Sequence, residues 1–178
     1  CWHPGIGTQG SLLAFGGAAT SKMARYDWAI QAWVPVFGTN TAHFSSGHTA
    51  GIYVPQAGAV ICGRSGITDQ RQLVIVEADG SWRYSATCPT GWGPSGGRGM
   101  IAPHPSRAAA IVLSREADKK YWTYEFASDT WVERGLLPSE FNYANSSATT
   151  IKELGVLLVL TGQSEAVATR AYVYRPDY

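Results

Sequence analysis

The sequence predicts an all-β chain made of tandem four-stranded antiparallel units, and three observations carry that prediction. Trp33, Trp82 and Trp131 recur at intervals of 49 residues. Short apolar runs recur in step with them. No window of helix length shows a sustained i, i+3, i+4, i+7 apolar stripe; even SREADKKYW is short and runs into a strand. An indole is large, and its N–H needs a partner when buried. Equal spacing of such a residue implies one packing environment built repeatedly.

Each unit divides into four segments bounded by Gly, Pro, Ser or Asp and rich in β-branched or aromatic residues, which is the composition of strands. The first follows a polar, Gly/Ser-rich stretch: HTAGIYV from His48, GRGMIA from Gly97 and SSATTI from Ser146. The second is a compact apolar run: SLLAFGG from Ser11, GAVICG from Gly58, AAAIVLS from Ala108 and GVLLVLTG from Gly155. The third is MARYD from Met23, QLVIVE from Gln72, KYWTYEF from Lys120 and RAYVYRP from Arg170. The fourth carries the tryptophan, in AWVPV, SWRYSA and TWVERG. Between third and fourth segments fall Asp79-Gly80 and Ser128-Asp129, residues that tolerate the backbone of a tight hairpin. Four antiparallel strands in a repeat of this length form the unit of a β-propeller.

A tyrosine seven residues before a tryptophan, after an apolar strand ending in Gly-Gly, resembles the kelch repeat. The closest copy is LLAFGG with ARYDWAIQAW, which holds Gly16, Gly17, Tyr26 and Trp33. Gly63 with Trp82, Tyr124 with Trp131, and Gly162 with Tyr174 mark the other copies, and Ile75 stands at the tyrosine position of the second. The resemblance implies a partial β-propeller of kelch-like blades running the length of residues 1–178, with units at about 11–47, 48–96, 97–145 and 146–178, the first and last incomplete. Each tyrosine and tryptophan is then expected to fill the space between one blade and the next. Propellers close with at least about four blades. The short count leaves three arrangements open: a piece of a longer polypeptide, completion by a second chain or copy, or ends that complement each other. In the third, the first unit lacks an inner strand.

The 178 residues are 45% apolar and 15% charged, with a net charge of +1 and no basic cluster, so no electrostatic footprint for nucleic acid is present. The longest apolar run, Val156 to Leu160, is too short for a membrane-spanning helix. Three cysteines make no disulfide framework. Cys62, inside AVICG, is expected to be buried, and pairing of Cys1 with Cys88 or outside the chain stays open. A chain that begins at Cys1 is expected to be processed or cut from a longer one.

Catalytic motifs are weak. GIGTQG at 5–10 matches a dinucleotide fingerprint but lacks the strand before and helix after that direct a helix terminus at the pyrophosphate, and it reads as a Gly-rich loop. His43 and His48 bracket HFSSGH, while His3 and His104 stand apart; without a converging set of three or four ligands they read as turn histidines and no metal or other cofactor is expected. GRSG at 63–66 is no nucleophile elbow, no carboxylate pair stands out, and Asn145 opens an NSS glycosylation acceptor where the chain is secreted.

The long stretches between fourth and first segments are PVFGTNTAHFSSG, ATCPTGWGPSGG and RGLLPSEFNYANSS. They carry His43, Phe44, Trp92, Phe141 and Tyr143, with Arg98 directly after the second stretch, and loops on a rigid scaffold presenting aromatics and arginine suit recognition. The expectation is a non-catalytic protein-interaction or scaffolding module, with a protein partner or further blades, and with neither nucleic acid nor membrane as partner. The alternatives are a carbohydrate-binding extracellular propeller, with Trp92 and Tyr143 stacking on sugars, and a segment of a copper enzyme resembling galactose oxidase.

Overall fold

The computed structural model describes residues 1–15, 23–36, 51–63, 72–88, 100–113, 120–138, 146–161 and 170–176. These form four antiparallel sheets, each a meander in chain order. The first contains β1 (Trp2–His3), β2 (Ser11–Phe15), β3 (Met23–Asp27) and β4 (Ala32–Pro35). The second contains β5 (Gly51–Val54), β6 (Ala59–Gly63), β7 (Leu73–Val76) and β8 (Trp82–Tyr84). The third contains β9 (Met100–Pro103), β10 (Ala109–Leu113), β11 (Lys120–Glu125) and β12 (Thr130–Leu136). The fourth has three strands, β13 (Ser146–Ile151), β14 (Val156–Thr161) and β15 (Arg170–Tyr174). A 3-10 turn, Lys152–Leu154, ends at Gly155 in the left-handed region (φ 64°) and joins β13 to β14.

The expected segments become strands in the expected order. One correction lies at the N-terminus, where the reading that begins the first unit at Ser11 lacks an inner strand. Trp2 and His3 pair with Leu12 and Ser11 and supply it. Only two residues long and split from β2 by the Gly-rich loop, β1 shows no alternating pattern from which it could be read.

A second correction concerns Ile75. Tyr26 pairs directly with Trp33, and Tyr124 with Trp131, across four-residue turns whose last residues, Gln31 and Asp129, both take φ 52°. The second hairpin turns through Ala78-Asp79-Gly80, one residue fewer, with Gly80 at φ 83°. Trp82 therefore faces Val76, and Ile75 pairs with Arg83 on the other side. A one-residue slip reverses every side chain. The equal spacing of tryptophans in sequence thus hides a difference in register.

Burial explains why β6 and β7 are apolar throughout. All four residues of LVIV are buried, as are the first four of AVICG, because both faces of the second sheet are covered. Leu13 and Met23 of the first sheet meet Val60, Val74 and Val76, with Trp82 and Tyr84 against them. The opposite face of the second sheet, with Val54, Ile61 and Ile75, meets Val112, Trp122 and Tyr124 of the third, and Trp131 packs there. Between third and fourth sheets, Met100, Ile111 and Leu113 meet Leu157 and Val159. In each interface the face of the later sheet carries the larger share of aromatic residues.

First strands of successive sheets are neighbours: β1 lies beside β5, β5 beside β9 and β9 beside β13. Contacts between sheets align one end of them. His3 Nε2 meets the Val76 carbonyl at 3.2 Å, Gln56 donates to the Pro105 carbonyl at 3.2 Å, and the Thr150 hydroxyl donates to the Pro103 carbonyl. That end holds the turns between first and second strands and between third and fourth.

Candidate functional site

In a meander, successive connections alternate ends. The strand ends at Val36, Cys88 and Pro138, and the starts of β5, β9 and β13, lie opposite the short turns. The segments bearing the six recognition candidates leave and rejoin the sheets there. His43, Phe44, Trp92, Arg98, Phe141 and Tyr143 themselves lie outside the described residues, as do His48, Asn145, Gly16, Gly17 and Gly162. Of the repeat signature, Tyr26 and Trp33, Trp82, and Tyr124 and Trp131 sit on third and fourth strands. Gly63 ends β6 opposite Leu73, and Tyr174 packs edge-on against Tyr121, their hydroxyls hydrogen-bonded.

A polar cluster joins the second sheet to the third. The Tyr124 hydroxyl donates to Asp129 Oδ1 at 2.5 Å and accepts from Arg83 Nη1 at 3.2 Å. Arg83 also donates to Glu77 at 3.1 Å. Asp129 accepts the Ala86 N–H at 2.9 Å, and the Trp131 indole N–H donates to the Ala86 carbonyl at 2.7 Å. The left-handed turn residue thus aims its carboxylate at a neighbouring strand. Burial and the hydrogen bond to Asp129 hold the Tyr124 phenol well above its ordinary range, outweighing Arg83. Burial pushes the Asp129 carboxyl up, but Tyr124, the Ala86 N–H and Arg83 together bring it below the usual carboxylate range. A phenol held protonated beside a carboxylate held ionised is a fixed donor–acceptor pair, suited to clamping sheets.

His3 forms a second clamp. Its Nδ1 accepts the Gly5 N–H at 3.2 Å, so the neutral ring carries its proton on Nε2 and donates it to Val76. Burial lowers its pKa from 6.5, against the Val76 carbonyl and Glu77, which raise it. His104 repeats the local motif: Nδ1 accepts the Ser106 N–H at 3.3 Å, and both imidazoles are buried. His3 ends a first strand and His104 follows one, and each precedes proline, in His3-Pro4-Gly5 and His104-Pro105-Ser106. Both are buried and not at the surface: His3 reaches Val76 of the neighbouring sheet, whereas His104 bonds within its own turn. The repeated His-Pro is the signal in the sequence that marks them.

GIGTQG is a loop, as its sequence indicates, and it does not precede a helix. With Arg25, Tyr26, Asp27 and Trp28 it lines an open cleft of about 360 Å³. Trp28 donates its indole N–H to the Gly10 carbonyl at 3.0 Å and stands edge-on to Tyr26, and Arg25 pairs with Asp27 at 3.5 Å. Among the described residues no three His, Cys, Asp or Glu side chains converge in metal-holding geometry, and no helix is long and apolar enough to cross a membrane. All three cysteines are free thiols, with Cys62 and Cys88 buried and Cys1 exposed. Burial pushes the Cys62 thiol well up, away from the thiolate that reacts.

No protein-family model matches the chain, and no curated protein matches it.

Proposed function

We propose that the chain is a non-catalytic protein-interaction or scaffolding module, a partial β-propeller of kelch-like blades that binds a protein partner through its long connections. The observation that carries this reading is the common end of the sheets. In four meanders with adjacent first strands and aligned short turns, the described strand ends that border the long connections lie opposite those turns. Recognition then rests on the aromatic and arginine side chains of those connections, held by a scaffold clamped between sheets. The polar clusters support the same role, because Tyr124 and His3 are engaged in bonds between neighbouring sheets.

The test compares the wild-type chain with one in which His43, Phe44, Trp92, Arg98, Phe141 and Tyr143 are replaced by serine. Proteins retained by each are quantified after far-ultraviolet circular dichroism shows equal folding. A partner held in stoichiometric amount by the wild type and lost from the variant supports the reading. Equal retention of all proteins refutes it.

A second reading, carbohydrate binding, is favoured by the cleft at Trp28. Aromatic side chains beside an ion pair and the polar Thr8 and Gln9 offer stacking and hydrogen bonds together. Binding on a glycan array that is lost in Trp28→Ala supports this reading, and a blank array retires it.

A further inference from the structure

The end sheets are built like the inner ones, yet the described residues cover them on one face only. In β2 the apolar sequence SLLAF alternates in burial, with Leu13 buried and Leu12 exposed. The register places Trp2, Leu12, Tyr26 and Trp33 on that uncovered face of the first sheet. Trp2 is 43% and Trp33 51% exposed, whereas Trp131, the counterpart of Trp33, packs onto the second sheet. At the other end, pairing places Leu158, Leu160 and Val173 on the uncovered face of the fourth sheet, where Val173 is 69% exposed.

These two faces are the separated halves of an interface that the chain builds internally three times. In the second, third and fourth sheets, the face looking back along the chain carries Trp82, Tyr124 with Trp131, and Tyr172 with Tyr174. It packs on the forward face of the preceding sheet, such as Val54, Ile61 and Ile75 of the second. The first sheet offers an aromatic backward face and the fourth an aliphatic forward face. Among the described strand residues neither face carries a charge, and contiguous apolar surface of this kind marks an association site.

We propose that a second copy of this chain docks head to tail, the aliphatic face of its fourth sheet against the aromatic face of the first. One chain carries both complementary halves, so a copy supplies what each lacks and continues the internal stacking. Such a heterologous contact closes a ring where the rotation permits, and otherwise propagates. The proposal rests on the stacking of sheets and not on the long connections, so serine substitution of the six loop residues leaves association intact.

The experiment is light scattering after gel filtration on the full chain over a range of concentrations. The wild type is expected at twice 19.1 kDa or a higher multiple. Trp33→Asp and Val173→Asp, each on an exposed position, are each expected to fall to the mass of one chain. Mixed together they are expected to form a pair, because one intact aromatic face then meets one intact aliphatic face. Should Trp33→Asp fail to fold, Leu12→Asp tests the same face. A wild type that stays at 19.1 kDa overturns the proposal. So does an oligomer insensitive to Val173→Asp, or a mixture that stays monomeric.

Discussion

Tyr124→Phe probes the clamp between second and third sheets with little change of volume. The ring stays buried, while the substitution removes the proton given to Asp129 at 2.5 Å and the oxygen that accepts from Arg83 at 3.2 Å. A hydrogen bond to a charged group contributes about 1.5–3 kcal/mol. Asp129 and Arg83 are both partly exposed and recover water, which places the expected loss near ~1.5 kcal/mol. In a domain of this size that corresponds to a fall of roughly 3–6 °C in Tm. The assay is urea and thermal unfolding at pH 7 of Tyr124→Phe, Asp129→Asn and the double variant. The coupling between them is expected at about 1 kcal/mol. The carboxyl of Asp129 sits below its ordinary value of 3.8 in the folded chain. Its contribution is therefore complete above that value and lost as pH falls through the lower folded one, so the coupling should shrink in strong acid. Additive single effects, with coupling under ~0.3 kcal/mol at pH 7, would refute the clamp.

Three further outcomes follow from named contacts. His3→Gln loses a matched donor and acceptor at the junction of first and second sheets and should cost about 1–3 kcal/mol by urea unfolding. Because burial lowers the folded pKa of His3 below 6.5, the wild type should lose stability as pH falls from that value toward the folded one, and His3→Gln should flatten the slope there; equal slopes would contradict the assignment. Ile61→Ala, fully buried between second and third sheets, should cost about 2–4 kcal/mol, and a loss below ~1 kcal/mol would mean that the two sheets do not share that core. Gly10→Ala combines φ 74° with a Cβ placed 2.2 Å from the Trp2 ring, so it should displace that indole and cost more than Gly80→Ala, where the space is open and φ alone, 83°, costs about 1 kcal/mol; equal costs would place Trp2 elsewhere.

The strands were legible because their signals are local. Runs such as AVICG and LVIV, bounded by glycine and polar residues, mark second and third strands, and Asp79-Gly80 and Ser128-Asp129 mark the turns between third and fourth. Two features were not. The strand at Trp2 is too short to show a period, and the slip that sets Trp82 against Val76 depends on one turn residue fewer. The candidate residues of the long connections could be named from composition alone, because aromatics and arginine in long segments need no register to be noticed. The role of His3 was not legible, since its bond to Val76 exists only where the ends of neighbouring sheets meet, whereas the bond of His104 to Ser106 lies within its own turn.

The sequence by itself determined an all-β chain in repeated units, because apolar runs and turn residues act within a few positions of one another. Tertiary structure alone decided which face of each sheet is covered. That depends on which residues stand opposite one another across a hairpin, and on the neighbouring sheet that takes water away from one side. The physical reason is visible in two tryptophans of matching local sequence. Trp131 is packed because a second sheet lies against it, and Trp33 is exposed because no described sheet does.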